Sequence, residues 1–208
     1  MKLDEALERC PAVAILRGVR PDEILDHTEA LKQAGMFGVE VPLNSPEPLV
    51  SIARMSEAFG TDMACGAGTV LSAEMVDAAA VAGARLIISP NTDTVVIARA
   101  VELGLDAAPG FATASEAFRA LQAGARHLKL FPASTYGPGH VRQLKAVLPA
   151  TAVLWAVGGV GAAEMADYWA AGVRAFGIGS EVYRPGQPAE ETGRKARKLV
   201  EAARSLAR

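Results

Sequence analysis

Eight short apolar runs alternate with eight amphipathic segments along this chain, and that alternation leaves few folds open. The apolar runs are Ala12 to Leu16, Phe37 to Val41, Met63 to Gly66, Arg85 to Ser89, Leu105 to Ala108, His127 to Phe131, Val153 to Val157 and Ala175 to Ile178. Helical periodicity runs through Asp22 to Ala34, Pro48 to Ala58, Ala73 to Ala82, Thr94 to Leu103, Ser115 to Ala123, Pro138 to Leu148, Ala162 to Ala171 and Ala189 to Leu206. Short apolar runs bounded by turn residues read as strands buried on both faces, and strands joined through helices run parallel. Glycine follows several of the helices, as in Ala34-Gly35 and Ala171-Gly172, where a carboxyl cap needs the left-handed conformation. The expected fold class is therefore α/β: a single (β/α)8 TIM barrel with a short N-terminal helix, one domain over residues 1–208. An open doubly wound sheet is the competing architecture. Its dinucleotide fingerprint is incomplete here, because Gly66-Ala67-Gly68-Thr69-Val70-Leu71 lacks the third glycine.

Composition narrows the function classes. No apolar run approaches the ~20 residues of a membrane span, and the formal charge is −2. Basic residues cluster only around Arg194 to Lys198, a pattern of a solvated helix, so neither a membrane nor a nucleic-acid partner is expected. Met1 to Glu5 reads as the start of an amphipathic helix without the apolar core of a secretory signal, so a cytoplasmic protein is expected. Cys10 and Cys65 are far apart and outside any Cys-x-x-Cys pattern, which reads as two free thiols. His27, His127 and His140 have no metal-ligand spacing, so no metal is expected.

Lys129 is the residue out of place. It lies in His-Leu-Lys-Leu-Phe-Pro, where alternation sends Leu128 and Leu130 to one face and His127, Lys129 and Phe131 to the other. Apolar neighbours on both faces predict a half-desolvated ammonium with a lowered pKa, able to attack a carbonyl as a neutral amine. A water-facing lysine on an edge strand is the alternative. His127 shares the face of Lys129 and is expected to be a hydrogen-bonded core histidine rather than part of the same network.

In a barrel of this kind chemistry gathers at the carboxyl ends of the strands. Arg17, Glu40, Thr69 and Asn91 all fall at such ends. Glu40 lies between Val39 and Val41 and should point into the barrel, either as a proton-transfer group or as a structural partner for Arg17. Val157-Gly158-Gly159-Val160 and Gly177-Ile178-Gly179-Ser180, after the last two strands, offer backbone amides with little side-chain bulk, which suits a phosphate. Arg17 and Thr69 suit a second anion such as a carboxylate. The bland alternatives are tight turns, a surface ion-pair arginine and a helix-capping threonine.

These motifs together resemble the lysine-dependent 2-keto-3-deoxy-6-phosphosugar-acid aldolases of the Entner-Doudoroff type. The resemblance is carried by Ala14 to Gly18, Val39 to Pro46, Gly66 to Val70, Ser89 to Asn91, Pro109-Gly110, Leu128 to Pro132 and Val157 to Val160, in order along nearly the whole chain. It implies a barrel assembled as a homotrimer, Lys129 as the Schiff-base lysine and Glu40 as the proton-transfer residue. It also implies that Arg17 and Thr69 contact the substrate and that Gly159, Gly179 and Ser180 receive its phosphate. The implied partners are a phosphorylated 2-keto-3-deoxy sugar acid, pyruvate and glyceraldehyde 3-phosphate, with no cofactor.

Gluconate-type members carry an Arg-Thr pair after the leucine of the glutamate strand and a threonine just before the Gly-Gly pair. This chain has Asn44-Ser45 and Val157 there, and so looks like the galactonate-directed branch, with the gluconate branch as the alternative. The missing arginine leaves Arg17 to serve the carboxylate. Two readings outside the aldolases remain: a lysine-independent phosphosugar isomerase or decarboxylase barrel, and a non-catalytic phosphosugar-binding barrel.

Overall fold

The apolar runs become parallel strands in the computed structural model, which describes residues 1–206. They are β1 (Ala12–Ile15), β2 (Gly38–Pro42), β3 (Ala64–Gly68), β4 (Leu86–Ile88), β5 (Asp106–Ala108), β6 (Gly110–Phe111), β7 (His127–Leu130), β8 (Val153–Val157) and β9 (Ala175–Ile178). The helices are α1 (Leu3–Arg9), α2 (Ile24–Ala34), α3 (Pro48–Phe59), α4 (Ala73–Val81), α5 (Thr94–Glu102), α6 (Ala114–Gln122), α7 (Ala133–Lys145), α8 (Met165–Ala171) and α9 (Ala189–Leu206).

Neighbouring strands follow the order β5-β4-β3-β2-β1-β9-β8-β7-β6. Its two ends are one continuous segment: β5 and β6 are separated only by Pro109, which has no N–H to place in a ladder. The carbonyl of Pro109 accepts from Lys129 N–H at 2.9 Å, so the interruption also joins the ends of the sheet and the ring is a TIM barrel. The open doubly wound alternative is thereby excluded.

Alternation along the strands divides the core in two. Ala14, Val39, Val41, Cys65, Leu128, Leu130, Phe176 and Ile178 point outward into the layer between sheet and helices. Val13, Ala64, Leu86, Ile88, Trp155, Val157 and Ala175 fill the interior. Leu3 and Ala6 of α1 are buried against this inner set, so the N-terminal helix plugs the barrel. The interior stays narrow because small residues face large ones: a Cβ on Gly66 would meet Leu86 at 2.8 Å.

Several boundaries differ from the sequence expectation. The third strand runs on to Gly68, because its Ala-Cys-Gly-Ala-Gly sequence pairs with Gly38–Pro42 by register rather than by propensity. Helix α7 starts at Ala133 instead of Pro138: a first turn ends at Gly137, whose φ of 73° is non-helical, and Pro138 restarts the helix. Helix α8 begins at Met165 rather than Ala162. None of the described helices is long and apolar enough to cross a membrane. Cys10 and Cys65 are buried thiols, pushed by burial to about 11 and about 12, and so chemically quiet.

Candidate active site

Lys129 is buried more deeply than the sequence suggests, with 6% of its surface exposed. Leu128 and Leu130 send their side chains outward, which leaves His127 and Lys129 facing the axis. Lys129 pairs with Gly110 on one side and Trp155 on the other. Trp155 is fully buried and Nζ lies 5.1 Å from the centre of the Phe131 ring, so the ammonium has aromatic neighbours and little water. Burial lowers its pKa to about 8; Glu40 works against the shift and Arg17 adds to it.

Glu40 enters the interior from β2, with Val39 and Val41 packed outward. Its carboxylate lies over β3 where Gly68 leaves space, and a Cβ on Gly68 would overlap Oε2. Oε2 is buried without a hydrogen-bond partner. Burial raises the carboxyl pKa to about 7, against the pull of Lys129 and, in smaller measure, Arg17. An amine and a carboxyl group, buried in one barrel interior and each driven by burial toward its neutral form, can exchange protons with a bound molecule.

The structure joins Arg17 to Thr69 at the mouth of the barrel: Nη2 donates to Oγ1 at 3.4 Å. Thr69 has φ of 56°, a left-handed conformation that is costly for a β-branched residue and that sets its hydroxyl beside the guanidinium. It does not cap a helix; Ser72 does that, accepting from Met75 N–H at 3.3 Å. Arg17 Nη1 also donates to Asn44 Oδ1. Asn91 lies in the β4–α5 loop, where its carbonyl accepts from Ser89 Oγ at 2.8 Å and its backbone passes close to Gly110, the strand partner of Lys129.

Beside the barrel mouth lies a cavity of about 810 Å³, lined among others by Arg17, Phe131, Gly159, Gly179, Ser180 and Arg184. Gly159 has φ of 70°, and a Cβ there would crowd Ser134 at 2.5 Å. At Gly179 no atom lies within 4 Å of a Cβ position, so its backbone is open to a ligand. The adjacent Gly161 amide is already used, donating to Glu164 Oε2 at 2.9 Å. Arg184, which the sequence reading passed over, brings a cation to this end; its Nε donates to Ser180 O at 3.4 Å. Its place in the same loop as Gly179 and Ser180 was the available signal.

His127 lies one layer below Lys129. Its Nδ1 accepts from Trp155 Nε1 at 3.1 Å, its Nε2 is 3.5 Å from Asp4 Oδ1, and burial lowers its pKa to about 4. It is a neutral, hydrogen-bonded core histidine.

Comparison with known proteins places this geometry in context. The family model for KDPG and KHG aldolase matches residues 3–192. The chain is 48% identical over 196 residues to a 2-dehydro-3-deoxy-6-phosphogalactonate aldolase of Escherichia coli, covering 94% of this chain and 96% of that protein. It is 42% identical over 186 residues to a probable aldolase of the same name from Rhizobium meliloti, covering 89% and 88%. A solved structure described as native KDPGal superposes with a TM-score of 0.93 at 48% identity, covering 95% of this chain and 96% of that one.

Proposed function

The chain belongs to the KDPG and KHG aldolase family, and from that membership we propose that it cleaves 2-dehydro-3-deoxy-6-phosphogalactonate to pyruvate and glyceraldehyde 3-phosphate through a Schiff base on Lys129. It is an aldolase, a carbon–carbon lyase. The observation that carries the mechanism is the shared interior of Lys129 and Glu40, where burial drives both groups toward their neutral forms.

In this reading neutral Lys129 Nζ adds to the C2 ketone; the Glu40 carboxyl then gives its proton to the carbinolamine hydroxyl, which leaves as water to form a protonated iminium, and Glu40 is left as the carboxylate. Glu40 takes the proton of the C4 hydroxyl as the C3–C4 bond breaks; the bonding electrons pass into the iminium, which becomes an enamine, and the aldehyde leaves. The enamine is protonated at C3 and the resulting imine is hydrolysed, releasing pyruvate and restoring the amine. Arg17 and Thr69 bind the substrate carboxylate. The amides around Gly159, Gly179 and Ser180 receive the phosphate, and Arg184 supplies a counter-charge.

The galactonate epimer is favoured by Val157, which has no hydroxyl to offer a substrate, and by Asn44-Ser45. We place the assembly as a homotrimer, with the exposed apolar side chains Leu71, Met75 and Val95 offering surface to cover. A cytoplasmic location fits the two unpaired thiols. Borohydride reduction with pyruvate tests the central claim: the adduct should map to Lys129 and be lost in Lys129→Arg. An adduct on another lysine, or turnover by the arginine variant, overturns it.

A further inference from the structure

Arg17 is an exposed side chain on the loop after β1, yet its guanidinium has fixed partners in two other loops: Asn44 Oδ1 for Nη1 and Thr69 Oγ1 for Nη2. The next amide along the chain, Gly18 N–H, donates to Ser45 Oγ at 2.9 Å. Adjacent residues of the β2 loop thus grip adjacent residues of the β1 loop, one through the side chain and one through the main chain. The grip is itself anchored. Ser45 is buried and its N–H donates to Pro42 O at 2.9 Å, at the end of the strand that carries Glu40.

The residue types suit a device that aims a charge without cancelling it. An amide oxygen orients a guanidinium and leaves it cationic, with its other N–H groups available to an incoming anion. An aspartate at the same place would form an ion pair and compete with that anion.

We propose that Asn44 and Ser45 are positioning residues that latch the Arg17–Gly18 loop and aim the guanidinium at the carboxylate of the bound 2-keto acid. The inference rests on the reading of Arg17 as a carboxylate-binding group. It makes the β2 segment responsible for two things at once: Glu40 handles protons inside the barrel, while the two residues beyond the strand hold the group that selects acids over neutral ketones.

The test compares pyruvate with its uncharged amide, pyruvamide, by calorimetric binding to the intact enzyme. Asn44→Ala should weaken pyruvate binding about tenfold, the scale of one hydrogen bond to a charged group. Asn44→Asp should weaken it further by neutralising Arg17, and Asn44→Gln should recover part of the loss. Ser45→Ala should weaken pyruvate in the same direction. Pyruvamide affinity should stay at the wild-type value in all four variants, and so should the thermal midpoint of the three Asn44 variants; Ser45→Ala, which leaves the Gly18 N–H without its acceptor, should also lower the midpoint. Unchanged pyruvate affinity in both Asn44→Ala and Asn44→Asp overturns the latch, as do equal losses for pyruvate and pyruvamide, which indicate a merely structural role. Arg17→Gln separates the two levels: if it leaves pyruvate affinity intact, the carboxylate reading of Arg17 fails and the latch with it; if it weakens pyruvate while Asn44→Ala does not, only the latch fails.

Discussion

Lys129 and Glu40 enter the barrel interior from opposite walls, β7 and β2, and each holds the other back from the neutral form that burial favours. Desolvation is the largest influence on both, and their mutual attraction opposes it. Desolvation prevails and brings the two pKa values to about 7 and about 8, where a bound molecule can tip the proton balance in either direction.

Under the proton-transfer role proposed for Glu40, Glu40→Gln keeps the shape but not the acid–base function, and turnover should fall by roughly 10²–10⁴-fold. Because the Glu40 charge raises the Lys129 pKa, its removal should also move the pH midpoint of pyruvate-dependent borohydride trapping below that of the wild type. Trapping rates measured across pH 6 to 9, on an order of ~1 pH unit resolution, check this; a midpoint that rises would contradict the coupling.

His127 carries a pH dependence of stability rather than of catalysis. Its folded pKa is lowered from 6.5 to about 4, so the unfolded chain binds the extra proton between those values. The native state should therefore be fully favoured above about pH 6.5 and lose up to about 3 kcal/mol as pH falls toward 4. Urea midpoints of the wild type and His127→Gln at pH 7 and pH 4.5 measure this contribution: the pH-induced loss should shrink in the variant.

Arg184→Gln should raise KM for the phosphorylated substrate by about 10- to 100-fold, the range for a hydrogen bond to a charged group, with kcat largely retained. Cleavage of the dephosphorylated sugar acid should not change. Steady-state kinetics on both substrates decide it, and equal effects on the two would remove Arg184 from the phosphate site.

Val157→Thr adds a hydroxyl at nearly constant volume beside the barrel mouth. The ratio of kcat/KM for the gluconate over the galactonate epimer should rise, by about 1 kcal/mol in transition-state terms for one net hydrogen bond. A ratio that stays put would assign epimer choice to other positions, with Asn44 and Ser45 the nearest to test.

Much of the architecture is written in local patterns. The alternation of apolar runs and amphipathic segments specifies parallel strands and covering helices, because each pattern repeats within a few residues and needs no distant partner to be recognised. The same short-range logic puts Leu128 and Leu130 on one face and Lys129 on the other, sets Glu40 between two outward valines, and marks the glycines after the last two strands. The break at Pro109 and the turn before Gly137 were not legible as such, because whether a proline or a glycine ends an element depends on what lies across from it.

What the tertiary structure decided is which of these residues meet. Arg17, Asn44 and Thr69 come from three separate loops, and Lys129 and Glu40 lie 89 positions apart yet share one interior. The depth of that burial, which moves both pKa values, follows from Trp155 and Phe131 beside Lys129 and from the packed inner core beneath it, which α1 plugs. Convergence of this kind depends on ring closure and strand register, and both are set by the sum of many long-range contacts rather than by any segment alone.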